Sequence, residues 1–600
     1  MQRCLIALLL WSALGHVQPA AALDLNQPEE AVPEAAASAP LARAPAGLRR
    51  AVASAHPLAS EAGRRILREG GNAVDAAVAV QAMLGLVEPQ SSGLGGGAFL
   101  VLADRGALTA WDGRETAPAT VRDDLFLDAD GQPLPFEEAV PGGRSVGVPG
   151  VLRMLEAAHR RHGRLPWRRL FAPAIESAEQ GFPIGLRLAG QIAHDPQLAR
   201  DPAARRYFFD ADGRPWPAGH RLRNPDYAAL LRAVARRGAD AFYTGTTARA
   251  VVQAVRRAPD PGRLATTDLA RYRAIRREVL CYPWREVRLC GMPPPSAGLL
   301  VIGQVLGTLE ASGAFTPTLA PAEAPWPATF LHPYIEAARL AQADRDAYVA
   351  DPDRIPAPAG RWSRLWDPAY LAGRAARIGP RAADEVPPGR PDPQLSWASD
   401  RSGEVPATSH FSIVDGDGQV LAMTSSIESQ FGSRRLVNRG VGRAGGFLLN
   451  NELTDFSFAP QRAGRPVANR VEPGKRPRSS MSPVLVLDAA SGEVIATLGS
   501  PGGPPIPHYV LKALIQWRIA GLPLQAAFDA PNLAPLGPAV PWVLVERDRW
   551  PAATLQALRE LGHPVREVPL TSGLHGLVRR SDGRWDGAAD RRREGTVAGD

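Results

Sequence analysis

Helical and strand periodicities alternate along the first part of the chain. Residues 73–84 are apolar on nearly every side, which predicts a buried helix, and the apolar stretch at 50–54 predicts a strand before it. A glycine-rich turn at 93–97 leads into a further strand at 98–102, and residues 152–277 follow a helical pattern with arginine and alanine faces. Helices that alternate with short apolar strands predict helix layers packed on sheets.

Strand patterns dominate from Thr408 onwards. Residues 408–415 alternate in polarity and end in the hairpin signal Asp415-Gly-Asp-Gly418, after which residues 420–425 form the returning strand. The proline-rich residues 386–400 before this switch predict an exposed linker. A second strand pair and two further helices are predicted at residues 483–487, 494–498, 509–520 and 552–561.

The composition is that of an ordinary globular protein of about two to four domains. Of the 600 residues, 45% are apolar and 22% charged, which excludes a chain that is disordered throughout. The sequence contains no apolar run of about 18 residues, which excludes a polytopic membrane protein. The net charge is +8, but nearly all basic residues are arginines interleaved with acids. A nucleic-acid surface would cluster its basic residues on one face, so no nucleic-acid partner is predicted.

The N-terminus has the pattern of a secretory signal peptide. Arg3 supplies positive charge, residues 5–14 are apolar and small residues end at Ala22, so residues 1–22 are predicted to be removed. The polar, proline- and alanine-rich residues 23–48 predict a disordered linker. The mature protein is therefore expected to be exported, either periplasmic or secreted, with no stable membrane span.

Two cysteines remain after Cys4 leaves with the signal peptide. Cys281 and Cys290 lie at the ends of two short strand patterns that a turn at residues 283–285 joins. Two outcomes fit this pattern: a cross-strand disulfide formed in an oxidising compartment, or two unpaired cysteines. No catalytic role depends on either outcome.

No metal and no organic cofactor is predicted. The sequence contains no phosphate-binding loop of the G-x-x-x-x-G-K-[ST] type, no H-E-x-x-H and no C-x-x-C pair. One G-x-S-x-G occurs at residues 143–147, but no buried strand precedes it as a nucleophile elbow requires. A glycine- and proline-rich loop is the better interpretation of that segment.

The last third of the chain carries polar groups with little apolar content to explain them. Paired hydroxyls occur at Ser479 and Ser480, and consecutive glycines at Gly502 and Gly503 offer two backbone N–H groups to a developing oxyanion. Acids and amides are concentrated in residues 450–455. Each feature by itself is more often a strand start, a turn or a cap, but their co-occurrence points to a functional site.

Many phrases of the sequence are shared with one enzyme family. They run in family order from about residue 49 to the C-terminus, and they are Gly71–Ala77, Pro89–Gly97, Asp112–Pro118, Gly147–Gly150, Met292–Gly298, Thr408–Ser412, Phe447–Asn451, Asp455–Ser457, Ser479–Pro483, Gly499–Gly503 and Gly587–Asp590. In these phrases the chain resembles the γ-glutamyltranspeptidase (glutathione hydrolase) family. So many phrases in order are far more specific than any single motif.

The resemblance implies an N-terminal-nucleophile hydrolase fold of the α/β (α+β) class, a four-layer αββα sandwich made as one precursor. It implies cleavage between Ala407 and Thr408 into a large chain, residues 49–407, and a small catalytic chain, residues 408–600, which stay together as a heterodimer. The hydroxyl of Thr408 would be the nucleophile, and its own α-amino group, which exists only after cleavage, the base. Such an amine has a reference pKa of about 7.7–8.0, near the operating pH.

The resemblance also assigns the substrate site residue by residue. It implies that Ser426 assists Thr408 and that Gly502 and Gly503 form the oxyanion hole. The residues implied to bind the substrate are Arg114, Ser479 and Ser480 for the α-carboxylate, and Glu452 and Asp455 for the α-ammonium group, with Glu428 beside it.

Three departures from the family pattern bear on this site. Ser409 and Ser426 stand where threonines are usual, but both keep the hydroxyl. Glu428 stands where the well-known enzymes have an asparagine next to the substrate amine. The interval from Asp455 to Ser479 is a few residues shorter than in members with a long lid loop.

The implied activity is hydrolysis or transfer of γ-glutamyl groups from glutathione and related γ-glutamyl amides, with water, amino acids or peptides as acceptors. An acylase of the same fold that cleaves glutaryl or other acyl amides is the neighbouring alternative. An inert homologue used as a binding protein is the non-enzymatic alternative. Retention of Thr408, Arg114 and Asp455, together with both glycines and both serines, argues against an inert protein.

Overall fold

Two antiparallel sheets form the centre of the structure, a computed structural model that describes residues 45–315, 325–401, 407–440, 443–538 and 540–600. The predicted signal peptide lies outside these ranges. The strands of the two sheets, in chain order, are β1 (Ala51–Ser54), β2 (Gly97–Asp104), β3 (Ala107–Asp112), β4 (Ile275–Arg277), β5 (Leu280–Trp284), β6 (Val287–Gly291), β7 (Ser409–Val414), β8 (Val420–Ser426), β9 (Val484–Asp488), β10 (Val494–Gly499), β11 (His575–Arg579), β12 (Trp585–Ala589) and β13 (Thr596–Gly599). The seven-stranded sheet has the order β13-β1-β7-β8-β2-β3-β4, and the six-stranded sheet has the order β12-β11-β10-β9-β6-β5.

Helices cover the outer face of each sheet. In chain order they are α1 (Pro57–Arg68), α2 (Ala73–Val87), α3 (Phe136–Ala139), α4 (Val151–His162), α5 (Ala172–Gln180), α6 (Leu186–His194), α7 (Pro202–Phe208), α8 (Pro225–Arg237), α9 (Asp240–Tyr243), α10 (Gly245–Arg256), α11 (Thr266–Arg271), α12 (Gly298–Ala311), α13 (Ala328–Tyr348), α14 (Pro368–Ala375), α15 (Ile506–Arg518), α16 (Leu524–Asp529) and α17 (Ala552–Glu560). Helices α1 and α2 pack on the seven-stranded sheet, and α12 and α15 on the six-stranded sheet. Within the described ranges, no helix is long and apolar enough to cross a membrane.

Smaller strand groups lie outside the two sheets. They are Phe182–Pro183 with Arg221–Leu222, Leu436–Val437 with Phe447–Leu448, Gln461–Arg462 with Arg465–Pro466, and the group Leu533–Pro535, Val543–Glu546 and Val565–Val568. These strands form separate small sheets and do not pair with the two central sheets.

Side chains along each strand alternate between two apolar cores. On β2, Leu100 and Leu102 pack with the helices, whereas Phe99 and Val101 face the opposite sheet. That opposite sheet contributes Leu485 of β9 to the same inter-sheet core. Because successive side chains of a strand point to opposite faces, two stacked sheets with outer helices need this alternation. The predicted αββα sandwich is confirmed.

Helix α2 is buried along its whole length, as its apolar sequence predicts. It begins with a capping box: Asn72 Oδ1 accepts a hydrogen bond from Asp75 N at 3.0 Å, and Asp75 Oδ2 accepts one from Asn72 N at 3.1 Å. The glycine-rich turn that follows passes close to another backbone segment. A Cβ on Gly95 would lie 2.0 Å from the Leu448 carbonyl oxygen, so this turn needs glycine to reach β2.

Of the linker predicted over residues 23–48, residues 23–44 lie outside the described ranges, whereas the last residues pack on the sandwich. Leu48 is buried, and its backbone exchanges hydrogen bonds of 2.9 and 2.8 Å with Trp585 at the start of β12. Gly47 N also donates to Asp586 Oδ1 at 2.9 Å. Alanine- and proline-rich composition therefore does not prevent residues 47 and 48 from pairing with β12.

The linker predicted over residues 386–400 is also more closely packed than expected. It contains no helix and no named strand, but the Tyr348 hydroxyl donates to Gly389 O at 2.6 Å and Gly389 N donates to Asp344 Oδ1 at 2.7 Å. Asp400 at its end is buried. Proline content predicted the irregular backbone correctly, but the exposure was wrong, since polar side chains of α13 hold the segment down.

A disulfide joins Cys281 and Cys290. The two residues are direct partners in the β5–β6 register, because the turn between these strands contains only Arg285 and Glu286. Of the two outcomes that the sequence left open, the structure shows the cross-strand bond.

Candidate active site

One end of the sandwich collects strand ends from both sheets. Thr408 directly precedes β7 and Ser426 ends β8, and the register of these strands pairs their neighbours Ser409 and Ser425. The same end receives the predicted site residues that follow β3 and β10 and precede β9, which are Arg114, Gly502, Gly503, Ser479 and Ser480. The topology therefore gathers residues that are hundreds of positions apart in the chain.

The Thr408 side chain lies against the carbonyl group of the preceding residue. Its Oγ1 contacts Ala407 O and donates a hydrogen bond to Ser426 Oγ at 3.3 Å, and Ser426 Oγ donates to Ala407 O at 3.3 Å. The Glu428 N–H donates to Ser426 Oγ at 2.9 Å, and Arg593 Nη1 donates to Thr408 O at 3.3 Å. Two hydroxyls are thus held beside the peptide bond that joins Ala407 to Thr408.

A cavity of about 20 Å³ opens beside Thr408. Its lining residues are Arg114, Ala407, Thr408, Ser426, Glu428, Glu452, Asp455, Ser479, Ser480, Met481, Gly503 and Ile506. They include every predicted site residue except Gly502, and sequence reasoning missed the apolar wall of Met481 and Ile506. The volume is room for about one water molecule, and Ala407 forms part of the wall. Among the described residues, no group of three His, Cys, Asp or Glu side chains could hold a metal ion.

Arg114 lies between Glu452 and Asp455. Its guanidinium donates to one carboxylate oxygen of each acid, and also to Pro477 O at 3.2 Å and Arg478 O at 2.6 Å. Burial lowers the pKa of Arg114, but the negative charges of Glu452 and Asp455 outweigh burial and hold this pKa above its usual range. The groups predicted to bind a carboxylate and an ammonium group are therefore ion-paired with each other.

Glu115 adds a third buried acid, which sequence reasoning missed. Burial and the charge of Glu452 raise the pKa of Glu115 well above its ordinary value. Burial also raises the pKa of Glu452, against the opposing charge of Arg114. This environment favours a proton on Glu115, which reduces the repulsion among the acids around a single arginine. Adjacency to Arg114 was the only signal for Glu115 in the sequence.

Ser479 and Ser480 are held in place by different partners. Ser479 N donates to Pro295 O at 2.9 Å, and Ser479 Oγ accepts from Met481 N at 3.2 Å. Arg345, which is buried on α13, donates through Nη2 to Ser480 Oγ at 2.9 Å. Sequence reasoning missed Arg345, because one arginine on a helix carries no signal of burial.

Glu428 lies in a constrained turn with its carboxylate at the cavity. Its φ of 76° is in the left-handed region, which costs a non-glycine residue about 1–3 kcal/mol. Its Oε2 accepts from Ser429 Oγ at 2.5 Å and from Asn451 Nδ2. The acid that replaces the usual asparagine is therefore itself bonded to an asparagine.

Gly502 and Gly503 form the turn between β10 and α15. Their φ values of 127° and 63° are in the region that favours glycine, and a Cβ on Gly502 would lie 2.6 Å from the Tyr509 ring. Gly503 lines the cavity, whereas Gly502 lies one residue further back. The pair therefore cannot be replaced by larger residues without moving this turn.

The sequence model of the family described as Gamma-glutamyltranspeptidase matches residues 59–600. The chain belongs to this family. The glutathione hydrolase proenzyme of Bacillus subtilis (strain 168) is 33% identical over 561 residues, which cover 91% of each chain. The Acylase ACY 1 proenzyme of Pseudomonas sp. (strain SE83) is 33% identical over 559 residues, which cover 92% of this chain and 93% of the acylase.

Among solved structures, the cephalosporin acylase from Bacillus halodurans is similar to this chain with a TM-score of 0.80. The two are 27% identical, and the match covers 94% of this chain and 98% of the acylase. The chain is thus an enzyme of the gamma-glutamyltranspeptidase family, a hydrolase or transferase with an N-terminal-nucleophile hydrolase fold. Its curated relatives bear the names of both glutathione hydrolases and acylases, and several are named as proenzymes.

A buried ion pair lies behind the strand that begins after Thr408. Arg187 Nη1 donates to Glu88 Oε1 at 2.7 Å, and Ser409 Oγ donates to Glu88 Oε2 at 3.1 Å. Ser92 Oγ donates to Ser409 Oγ at 3.1 Å. Sequence reasoning noted the hydroxyl of Ser409 but missed its charged partners, which fix the start of β7.

The His410 side chain points away from Ser409 and its charged partners Glu88 and Arg187. Its Nδ1 is 2.8 Å from Thr424 Oγ1 and its Nε2 is 3.2 Å from Ser412 Oγ, so both ring nitrogens are engaged inside the sandwich. Burial, together with the nearby His575, lowers the pKa of His410 well below its ordinary value. His410 therefore stays neutral across the ordinary working range of pH.

Proposed function

We propose that this chain is a γ-glutamyl hydrolase/transferase that cleaves glutathione and other γ-glutamyl amides, with Thr408 as its nucleophile. The observation that carries the proposal is the contact of Thr408 Oγ1 with the Ala407 carbonyl, beside Ser426 and in the same cavity as Arg114, Glu452 and Asp455. No single strand or motif requires these groups to meet. Their meeting at one cavity fits a nucleophile and its substrate site.

Maturation begins with an attack of the Thr408 hydroxyl on the Ala407 carbonyl carbon. The C–N bond breaks as the C–O ester bond forms, and the nitrogen takes up a proton and becomes the free α-amine of Thr408. Water then hydrolyses the ester, which restores the hydroxyl and leaves a carboxylate on Ala407. Ser426, which bonds both Thr408 Oγ1 and Ala407 O, would assist this proton transfer.

The same hydroxyl then attacks the γ-carbonyl of the substrate. The Thr408 α-amine takes the hydroxyl proton, and the N–H groups of the turn at Gly502 and Gly503 stabilise the oxyanion. Breakdown expels the amine of the leaving group, which takes the proton, and leaves a γ-glutamyl ester on Thr408. Water gives glutamate as the second product, and an amino acid or peptide amine gives a new γ-glutamyl amide.

The internal ion pairs of the site support a preference for a γ-glutamyl group. A γ-glutamyl substrate carries an α-carboxylate and an α-ammonium group on one carbon. When it enters, its carboxylate replaces the acids as partner of Arg114, and its ammonium replaces Arg114 as partner of Glu452 and Asp455. Each buried charge keeps an opposite charge, with Ser479 and Ser480 as further donors.

An acylase that acts on glutaryl or other acyl amides is the second candidate, supported by the likeness to two named acylases. A glutaryl group has the carboxylate but lacks the ammonium. It would separate Arg114 from Glu452 and Asp455 and leave both acids without a cation, which is costly for buried charges. The observed ion pairs therefore favour the γ-glutamyl substrate.

The first test compares γ-glutamyl anilide with glutaryl anilide on wild type and Glu428→Asn. We expect kcat/KM for the γ-glutamyl compound to be higher by at least about tenfold in both proteins, because Glu452 and Asp455 remain to bind the ammonium. Glu137→Gln, which removes an exposed acid on α3, is the matched control. A wild-type enzyme that turns over the glutaryl compound faster would replace this proposal with the acylase.

The second test concerns the base. With the Thr408 α-amine as base, kcat/KM should fall on the acid side as this amine protonates, at a pH near its reference pKa of about 7.7–8.0. His410 is already neutral there, so His410→Asn should still mature, turn over and show the same acid limb. The rates are measured across pH on protein whose two chains are quantified by gel. Loss of turnover in a correctly matured, folded variant would transfer the role to His410.

Export and the two-chain state belong to the same proposal. Residues 1–22 have a signal-peptide pattern, and a disulfide between Cys281 and Cys290 fits an oxidising compartment. Cleavage before Thr408 would give a heterodimer whose chains stay joined, because β7 lies between β1 of the large chain and β8 of the small chain.

A further inference from the structure

A second cleft lies between the two sheets at the end of the sandwich opposite Thr408. The hairpin turns that join β2 to β3, β7 to β8, β9 to β10 and β11 to β12 surround it. Its volume is about 430 Å³, within the usual range of ligand pockets. Because β7 spans the distance from Thr408 to this cleft, the two sites are roughly 20 Å apart.

Part of the lining of this cleft is apolar. Its apolar side chains belong to the core between the sheets, and they are Ala103, Leu108, Val414, Val420, Val494 and Trp585. Leu108 and Val494 are partly exposed, so the cleft borders the apolar layer between the sheets at the hairpin end of the sandwich. An apolar ligand group of moderate size would bury its surface against that layer.

The acids at the mouth of the cleft already have partners. Asp415 Oδ1 accepts from Asp417 N and Gln419 N, both at 2.9 Å. Asp417 is paired with Arg164 at 2.5 Å, and Glu493 with Arg579 at 2.5 Å. Asp417 and Glu493 are therefore paired with cations of the protein, and Asp415 is held by backbone N–H groups.

Two arginines at the mouth have no such partner. Arg49 and Arg105 are exposed, and neither side chain makes an ion pair or hydrogen bond with the residues that the structure describes. Arg105 is held at the tip of the β2–β3 turn with a φ of 51°. Both guanidinium groups are available for an anionic group at the rim.

A residue that lines the same cleft carries an unsatisfied polar atom. Gln419 is only 8% exposed, and its Oε1 has no hydrogen-bond donor among the described residues. A buried carbonyl oxygen without a donor costs about 1–3 kcal/mol. A ligand or water that donates a hydrogen bond there would remove this cost.

We propose that this cleft binds an amphipathic anion, with its apolar chain between the sheets and its anionic head on Arg49 and Arg105. The recognised chemistry is an acyl or alkyl chain of moderate length that ends in a carboxylate or a phosphate. A hydrogen-bond donor near the head would meet Gln419 Oε1. The site is separate from the catalytic cavity and does not depend on the γ-glutamyl assignment.

The test titrates the processed wild-type protein with decanoate and with decyl phosphate by isothermal calorimetry, with decyltrimethylammonium as the cationic control. We expect one anion to bind per two-chain enzyme and the cation not to bind. Decanoate and decyl phosphate distinguish the two kinds of head. Absence of saturable binding by either anion would overturn the proposal.

Variants test whether the anion binds at this cleft and not elsewhere on the surface. The double change Arg49→Ala and Arg105→Ala should weaken binding by at least about tenfold, whereas Arg236→Ala with Arg237→Ala, exposed on α8, should not. Leu108→Trp should fill the cleft and abolish binding, and turnover of γ-glutamyl anilide should stay unchanged in every variant. Affinity that survives the loss of both arginines would refute the proposed head-group site, even if Leu108→Trp failed to fold.

The chain's own N-terminal segment is the competing occupant, since Arg49 is near the start of the described residues. A variant that lacks residues 23–44 should bind decanoate as the full protein does. Binding that appeared only after this deletion would show that the segment fills the cleft, and it would overturn the proposal.

Discussion

Thr408→Ala is expected to yield one full-length chain without measurable γ-glutamyl hydrolysis. The variant lacks the hydroxyl that contacts the Ala407 carbonyl, and without cleavage the α-amine that serves as base is never formed. Removal of a nucleophile commonly lowers kcat by about 10⁴-fold or more. A denaturing gel measures cleavage, and release of aniline from γ-glutamyl anilide measures turnover.

Two further variants complete this experiment. Thr408→Ser keeps a hydroxyl and should still mature, although more slowly. Thr109→Ala removes a buried threonine hydroxyl that has no hydrogen-bond partner among the described residues and lies on β3 away from the cavity, so it should mature like wild type. A Thr408→Ala protein that still separates into two chains would mean that another group cleaves the precursor.

Arg114→Lys is expected to lower kcat/KM for γ-glutamyl anilide by about 100- to 10,000-fold, mainly through KM. Lysine keeps the positive charge but loses the planar group that contacts Glu452 and Asp455 at once, together with about two charge-assisted hydrogen bonds of 1.5–3 kcal/mol each. Because the charge is kept, the acids are not left unpaired and the protein should fold. Steady-state kinetics on matured protein give the split between kcat and KM.

Arg277→Lys is the matched control for that change. Arg277 is also a mostly buried arginine between two acids, with Nε 2.8 Å from Asp112 and Nη2 2.9 Å from Asp353, but it does not line the cavity. It should cost stability on thermal unfolding and leave KM unchanged. An unchanged KM in Arg114→Lys would contradict the placement of the substrate carboxylate.

The elements of the fold were largely predictable from local pattern, but the sheet order was not. The burial of α2 follows from apolar residues on all its sides. No local pattern indicates that β1 pairs with β7 and β13, where Ala51 meets Val414 and Gly599. Such pairings join residues hundreds of positions apart, and the resemblance to a family implied the layered sandwich but not its strand order.

The candidate site likewise contains residues that the sequence predicted and residues that it did not. The resemblance named the groups that line the cavity, because these occur in short shared phrases. It did not name Arg187, which is fully buried, or Arg345, which holds Ser480. Both are arginines on helices in a chain rich in exposed arginines, and burial of one arginine depends on tertiary packing that its neighbours in sequence do not encode.

The most direct test of the account is the location of the γ-glutamyl group in the acyl-enzyme. Matured protein is mixed with γ-glutamyl anilide, quenched in acid, digested and analysed by mass spectrometry. We predict that the small chain begins at Thr408 and that its N-terminal peptide carries one γ-glutamyl group in an ester on Thr408. A small chain that begins at another residue, or a γ-glutamyl group on Ser426 instead, would contradict the account.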